Sequence, residues 1–218
     1  MSVRIESATL ISTTTGQYTK QVFRGLVAGS IISTVIGAVI WVLAALIPHS
    51  LNSPATPLLT FCRWLYESSI GTGIRESLWV FPIIEGTHLM GIALSVGALC
   101  WFDLRLLGLA LRDTPVSQVW KQVMPLSLGG FVLMFVTGLL LFWAEAITAY
   151  NSVHFWIKIA LLLMAGVNAL VFEFITHPGI AAWDKDPEPP ARARMAGLLS
   201  LIFWTGIVIT GRTMAYTF

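Results

Sequence analysis

Five long stretches of this chain carry almost no charge, and that feature settles the class of fold before any motif is read. Gly25–Ile47, Leu78–Phe102, Gln122–Ala144, Phe155–Thr176 and Met195–Gly211 run from 17 to 25 residues. An α-helix needs ~20 apolar residues to cross a ~30 Å hydrocarbon layer. In lipid, backbone N–H and C=O groups must be satisfied within a helix or a closed barrel. The polar residues in these stretches come singly, without the alternation of a barrel strand. The expected fold is therefore all-α, a polytopic transmembrane helical bundle of five spans. Composition agrees: 56% of the 218 residues are hydrophobic and 11% charged, where soluble domains carry about 25% charged residues. So little charge excludes a soluble enzyme, a disordered chain and a disulfide scaffold. The net charge of +2 gives no reason to expect nucleic acid as a partner; the expected partner is the lipid bilayer.

Cationic flanks set the expected orientation. With the N-terminus inside, Arg4, Lys20, Arg24, Arg105, Arg112, Lys121, Lys185, Arg192 and Arg194 fall on the inner side. Arg63, Arg75, Lys158 and Arg212 fall on the outer side. The excess of inner Lys and Arg predicts N-in, C-out, and Trp79, Trp101, Trp120, Trp143 and Trp156 mark span ends. The expected location is the inner membrane of a bacterium. The first apolar run, 23 residues long, exceeds the ~7–15 of a signal-peptide core and reads as an uncleaved anchor. Residues 1–20 read as a polar, flexible tail ahead of a single bundle over 21–218. Pro57–Ser68 is too short to span and mixes apolar residues with Arg63 and Glu67, which suits a helix lying along the outer interface. His177–Arg194 holds Pro178, Pro187, Pro189 and Pro190 and reads as an irregular inner loop. Cys62 and Cys100 fall at opposite faces, too far apart for a disulfide.

An ionisable group inside a span costs at least about 2.5–3.5 kcal/mol near the bilayer centre, so each calls for a partner or a purpose. At ~1.5 Å per residue, Glu85 lies roughly 10 Å and His88 roughly 15 Å below the outer end of the second span. His154 sits at the outer interface with Lys158 just below it, and Glu145 and Arg212 end the third and fifth spans there. The outer half thus gathers Glu85, His88, Glu145, His154, Lys158 and Arg212, whereas Asp103, Arg105 and Glu173 lie near the inner interface. Glu85 and His88, at i, i+3, share a helix face. His154, Lys158 and Asn168 return to one face of the fourth span. Such stripes should face the bundle interior or each other.

His88 has four readings. It is a neutral histidine bonded to a neighbouring span, an axial haem ligand, a metal ligand, or a proton-relay or transport group. The Glu-x-x-His pattern of di-metal bundles needs a second copy on another helix, and only one occurs. If haem b is bound, His154 is too shallow for a second ligand, while Met134 and Met164 lie near the depth of His88. Either methionine suits the sixth position, which otherwise stays open; both are also ordinary gap-fillers. Lys158, Arg212 and His154 would then meet the propionates, or else form an ion-pair cluster with Glu85 and Glu145. Gly25, Gly29, Ser33 and Gly37 form a small-residue stripe on the first span that fits close helix packing, against another span or another membrane subunit.

The run Glu85-Gly-Thr-His88-Leu-Met-Gly91, with Gly97 and Asp103-Leu-Arg105-Leu-Leu-Gly108, resembles a group of uncharacterised bacterial membrane proteins. So do Phe155-Trp-Ile-Lys158 running to Asn168, and the closing Gly211-Arg212. More distantly, the His-x-x-Gly helix and the Lys-then-Asn helix resemble CopD-type copper-resistance proteins and HemJ-type haem-binding membrane proteins. The HemJ-type resemblance implies a bundle holding b-type haem through His88, with functional weight on Lys158. The CopD-type resemblance implies periplasmic copper handling, without the Met/His-rich tracts that would accompany it. The leading expectation is haem b in the outer half, with His88 as the ligand to its iron and Glu85 orienting His88 or relaying protons. Its role would be electron transfer or oxidoreduction with a quinone or periplasmic redox partner. The alternatives are an accessory subunit of a larger membrane complex, and metal-ion or proton-coupled transport.

Overall fold

The computed structural model describes residues 57–214 and 216. The expected tail, first span and Gly25–Gly37 stripe lie outside these residues. The described chain is helical, without a strand. Two short helices, α1 (Pro57–Glu67) and α2 (Ser69–Arg75), precede α3 (Val80–Leu106) and α4 (Val116–Ala144). A short α5 (Ala146–Asn151) then leads into α6 (Val153–Val171) and, after a loop, α7 (Ala191–Met214). Helices α3, α4, α6 with its continuation, and α7 are each long and apolar enough to cross a membrane. The chain is a multi-pass membrane protein with four such helices among its described residues.

Two boundaries differ from expectation. The last span is not the short Met195–Gly211 segment but 24 residues long, because Arg192, Arg194 and Arg212 belong to the helix ends, where long cationic side chains reach the polar boundary. The α6 span also runs on past His177. After Val171 it loosens into one π-helical turn, Phe172–Thr176, then tightens into a 3-10 stretch, His177–Ala182. Pro178 stands in the first positions of that stretch, where its missing N–H leaves no bond unmade.

The spans form two antiparallel pairs, α3 with α4 and α6 with α7, joined through α3 and α7. Among the described residues, α6 makes no close backbone approach to α3 or α4. The α3–α4 pair is closed by small residues. Gly91, Ser95 and Ala98 are buried on α3, facing Ser127, Gly130, Met134 and Thr137 on α4. A Cβ on Gly91 would stand 2.8 Å from the Met134 nitrogen, and one on Gly130 2.6 Å from the Ser95 nitrogen. Lipid supplies no hydrophobic drive between helices, so such backbone contact is what holds them. Large apolar side chains point outward instead: Met90 is 72% and Val132 60% exposed.

Larger side chains gather at the two ends. At one end Phe102, Leu106, Val116, Phe172 and Trp183 form a cluster with Trp120 packed against it. Arg105, fully buried there, donates from Nε to the Thr114 carbonyl (2.8 Å) and from Nη2 to the Asp186 carbonyl (3.0 Å). Asp184 accepts from the N–H and hydroxyl of Ser117 at 2.7 and 2.8 Å, capping the start of α4 from the distant loop. Burial pushes the Asp184 carboxyl up, but the two Ser117 bonds and the charges of Arg105 and Lys185 outweigh it and hold it below the usual carboxylate value. This end was expected to carry only interfacial charges; it holds a buried polar network instead, because the 177–190 segment folds back over Arg105. At the other end, α1 and α2 pack on α4 and α5. Arg75 donates to the Ala144 carbonyl (2.8 Å) and lies over the Tyr66 ring, and Trp143 donates to Ser68 Oγ (2.8 Å).

Candidate functional site

His88 lies two turns into α3, on the face that carries Gly91 and Ser95, so the helix geometry aims it at α4. Its Nδ1 is 2.9 Å from the Met134 carbonyl and 3.0 Å from Thr137 Oγ1. A carbonyl can only accept, so Nδ1 carries the proton and donates it. The Thr137 hydroxyl gives its own proton to the Leu133 carbonyl at 2.7 Å, which leaves its oxygen free to accept from Nδ1. Opposite the ring is Gly138, where a Cβ would come within 3.1 Å of His88 Cε1. The imidazole is thus seated in a notch on α4 made of a carbonyl, a hydroxyl and the absence of a side chain.

Nε2 has no hydrogen-bond partner among the described residues, nor is it among the sealed, unpaired polar atoms. With Nδ1 protonated, Nε2 carries a lone pair that no described residue takes up. That is the tautomer a histidine uses to bind a metal centre through Nε2, oriented by a backbone acceptor behind it.

Lys158 comes from the other helix pair. Its stem lies along Gly211 of α7, with Nζ 3.5 Å from where a Cβ would be. No hydrogen bond or ion pair joins it to another described residue. Further along α6, Leu161 packs over Gly206 of α7, and Asn168 donates to the Ala196 carbonyl at 2.8 Å. The two polar stripes therefore do not interlock as the helix periodicity suggested. The His88 stripe is taken up by α4 and the Lys158 stripe by α7.

The other anticipated residues are more dispersed. Glu85 is half-buried and makes no hydrogen bond to His88; the orienting groups are Met134 and Thr137. Met134 meets the ring through its main-chain carbonyl, and its side chain is buried in the α3–α4 seam. Met164 is half-buried on α6. His154 is half-buried one turn before Lys158. Arg212 is exposed and donates to the Tyr216 hydroxyl at 2.8 Å, lying over that ring. Glu145 accepts from Thr148 at 2.8 Å.

Thr137 and Gly138 were not anticipated, and Gly211 was noted only in a closing motif, not as the seat of Lys158. Their signal is small or hydroxyl residues facing the ionisable ones at the same depth, the pattern read only on the first span. Among the described residues, no three His, Cys, Asp or Glu groups converge to hold a metal ion. No curated protein and no solved structure matches the chain. A family model does match residues 69–217, which takes in the whole of both helix pairs, and on that match the chain belongs to DUF6644, a family of unknown function.

Proposed function

We propose that this protein binds haem b between its two helix pairs, with His88 Nε2 as axial ligand, and that it serves electron transfer or oxidoreduction. The observation that carries the reading is the His88 geometry: Nδ1–H committed to the Met134 carbonyl at 2.9 Å and Nε2 without a partner among the described residues. A metal ion bound by side chains alone needs several converging donors, which the described residues do not assemble. Haem brings four nitrogens of its own and asks the protein for one imidazole. The donor set therefore fits haem better than a bare metal ion.

The ammonium of Lys158, unpaired among the described residues, and the exposed guanidinium of Arg212, both toward the same end of the bundle, suit the propionates as charge-assisted donors. His154 lies on the same side. Met164, half-buried on α6, is the better candidate for a sixth ligand than Met134, whose main-chain carbonyl is held by Nδ1. Haem supplies one-electron chemistry when bound; the chain holds the imidazole in one orientation and keeps the site among apolar helices. The resemblance of the His88 and Lys158 helices to HemJ-type proteins points the same way. With five spans and the N-terminus inside, the site would lie in the periplasmic half of the bacterial inner membrane, within reach of a quinone or a periplasmic redox protein.

The test is a pyridine haemochrome assay on purified protein. Wild-type protein is expected to carry haem b in stoichiometric amount, and His88→Ala to lose it. Wild-type protein free of haem after expression with ample haem supply rejects the proposal.

A further inference from the structure

We infer that Thr137 is a positioning residue for His88, acting as the second acceptor that holds the ring as its Nδ1–H tautomer with Nε2 turned outward. Three observations combine. Thr137 Oγ1 lies 3.0 Å from Nδ1. Its proton is spent on the Leu133 carbonyl at 2.7 Å, so toward the ring it accepts. It is itself buried in the α3–α4 seam, where competing water is scarce and a polar group is costly unless paired.

One acceptor would fix the tautomer but leave the ring free to pivot about a single bond. Two acceptors one helical turn apart on α4, Met134 and Thr137, with Gly138 following Thr137, define the ring plane as well. Donation of Nδ1–H to two oxygens also draws the proton away from the ring and makes Nε2 a stronger donor. The effect on a bound iron rests on the haem reading above; the tautomer and ring orientation are properties of the protein itself.

The experiment uses full-length protein in lipid, labelled with 15N-histidine and observed by magic-angle-spinning NMR, His88 being assigned by its loss in His88→Gln. Wild-type protein should show one His88 species, protonated at Nδ1. Thr137→Val should add an Nε2–H population or broaden the resonances by exchange, and Thr137→Ser should restore the wild-type spectrum. In haem-loaded protein Thr137→Val should raise the midpoint potential, because weaker donation from Nε2 stabilises the ferric state less, and Thr137→Ser should not. An Nε2–H ring in wild-type protein overturns the inference, whatever the variants do. So does a Thr137→Val spectrum identical to wild type. A protein that never binds haem removes the proposed function and leaves the NMR result to decide this one.

Discussion

The ring of His88 occupies the space that a side chain at Gly138 would fill, 3.1 Å from Cε1 to the missing Cβ. The glycine is thus part of the histidine's seat. A methyl group there asks the ring to yield by a few tenths of an ångström, so Gly138→Ala should leave fold and ligand binding close to wild type. Gly138→Leu should evict the imidazole and abolish binding through Nε2. Absorbance of the purified variants, with thermal unfolding as a control for folding, separates the two.

The α3–α4 seam rests on backbone contact. A Cβ at Gly130 would meet the Ser95 nitrogen at 2.6 Å, whereas one at Gly97 meets nothing within 4 Å. Gly130→Ala should therefore destabilise the protein by about 1–3 kcal/mol through overpacking. Gly97→Ala should be neutral or slightly stabilising, since alanine favours a helix interior by about 0.8–1 kcal/mol over glycine. Unfolding titrations in mixed micelles measure both.

Asp184 ties the 183–186 turn to the start of α4, and its carboxyl titrates below the usual carboxylate value in the folded protein. A depressed folded value means that its stabilisation is fully present above the unfolded carboxylate value and is lost as pH falls through the folded one. Wild-type protein should therefore lose thermal stability on acidification in the mildly acidic to acidic range. Asp184→Asn should be less stable at neutral pH, by about 1–3 kcal/mol for lost charge-assisted bonds, and flatter in its pH dependence. Melting temperatures from pH 7 downward give the comparison.

Lys158 lies along Gly211 without an ion-pair partner among the described residues. If its charge meets a propionate, Lys158→Met removes a bond to a charged group worth about 1.5–3 kcal/mol, or roughly tenfold or more in affinity. Haem transfer to an excess of apomyoglobin should be faster by that factor, with folding unchanged because the methionine stem can follow the same path over Gly211.

Spans α3, α4, α6 and α7 were legible because the cost of charge in lipid leaves a plain record in sequence, and the short helix α1 ahead of α3 was legible from a run too short to span. Their ends were less so. Arg192, Arg194 and Arg212 look like stops in a hydropathy reading, yet they belong to α7, since a long side chain can leave the hydrocarbon while its backbone stays helical. His88 and Lys158 could be singled out from depth alone. What orients them could not: Met134 acts through a carbonyl and Gly138 through a missing side chain, and neither leaves a mark in residue chemistry. The Glu85–His88 spacing suggested a partner on the same helix, but the ring turns to α4 because Gly91 and Gly130 bring that helix so close. The network around Arg105 was hidden for a related reason, as its acceptors are the carbonyls of Thr114, in the α3–α4 connection, and of Asp186, in the segment that folds back.

The central claim, that His88 Nε2 is the open coordinating position of a haem site, is tested most directly by ligand replacement. His88→Gly should leave a cavity beside Gly138, and its absorbance should be recorded with and without added imidazole, next to wild type. The account predicts a Soret band in wild-type protein, its loss in His88→Gly, and its return when imidazole enters the cavity. A Soret band unchanged in His88→Gly, or wild-type protein with none, would contradict it.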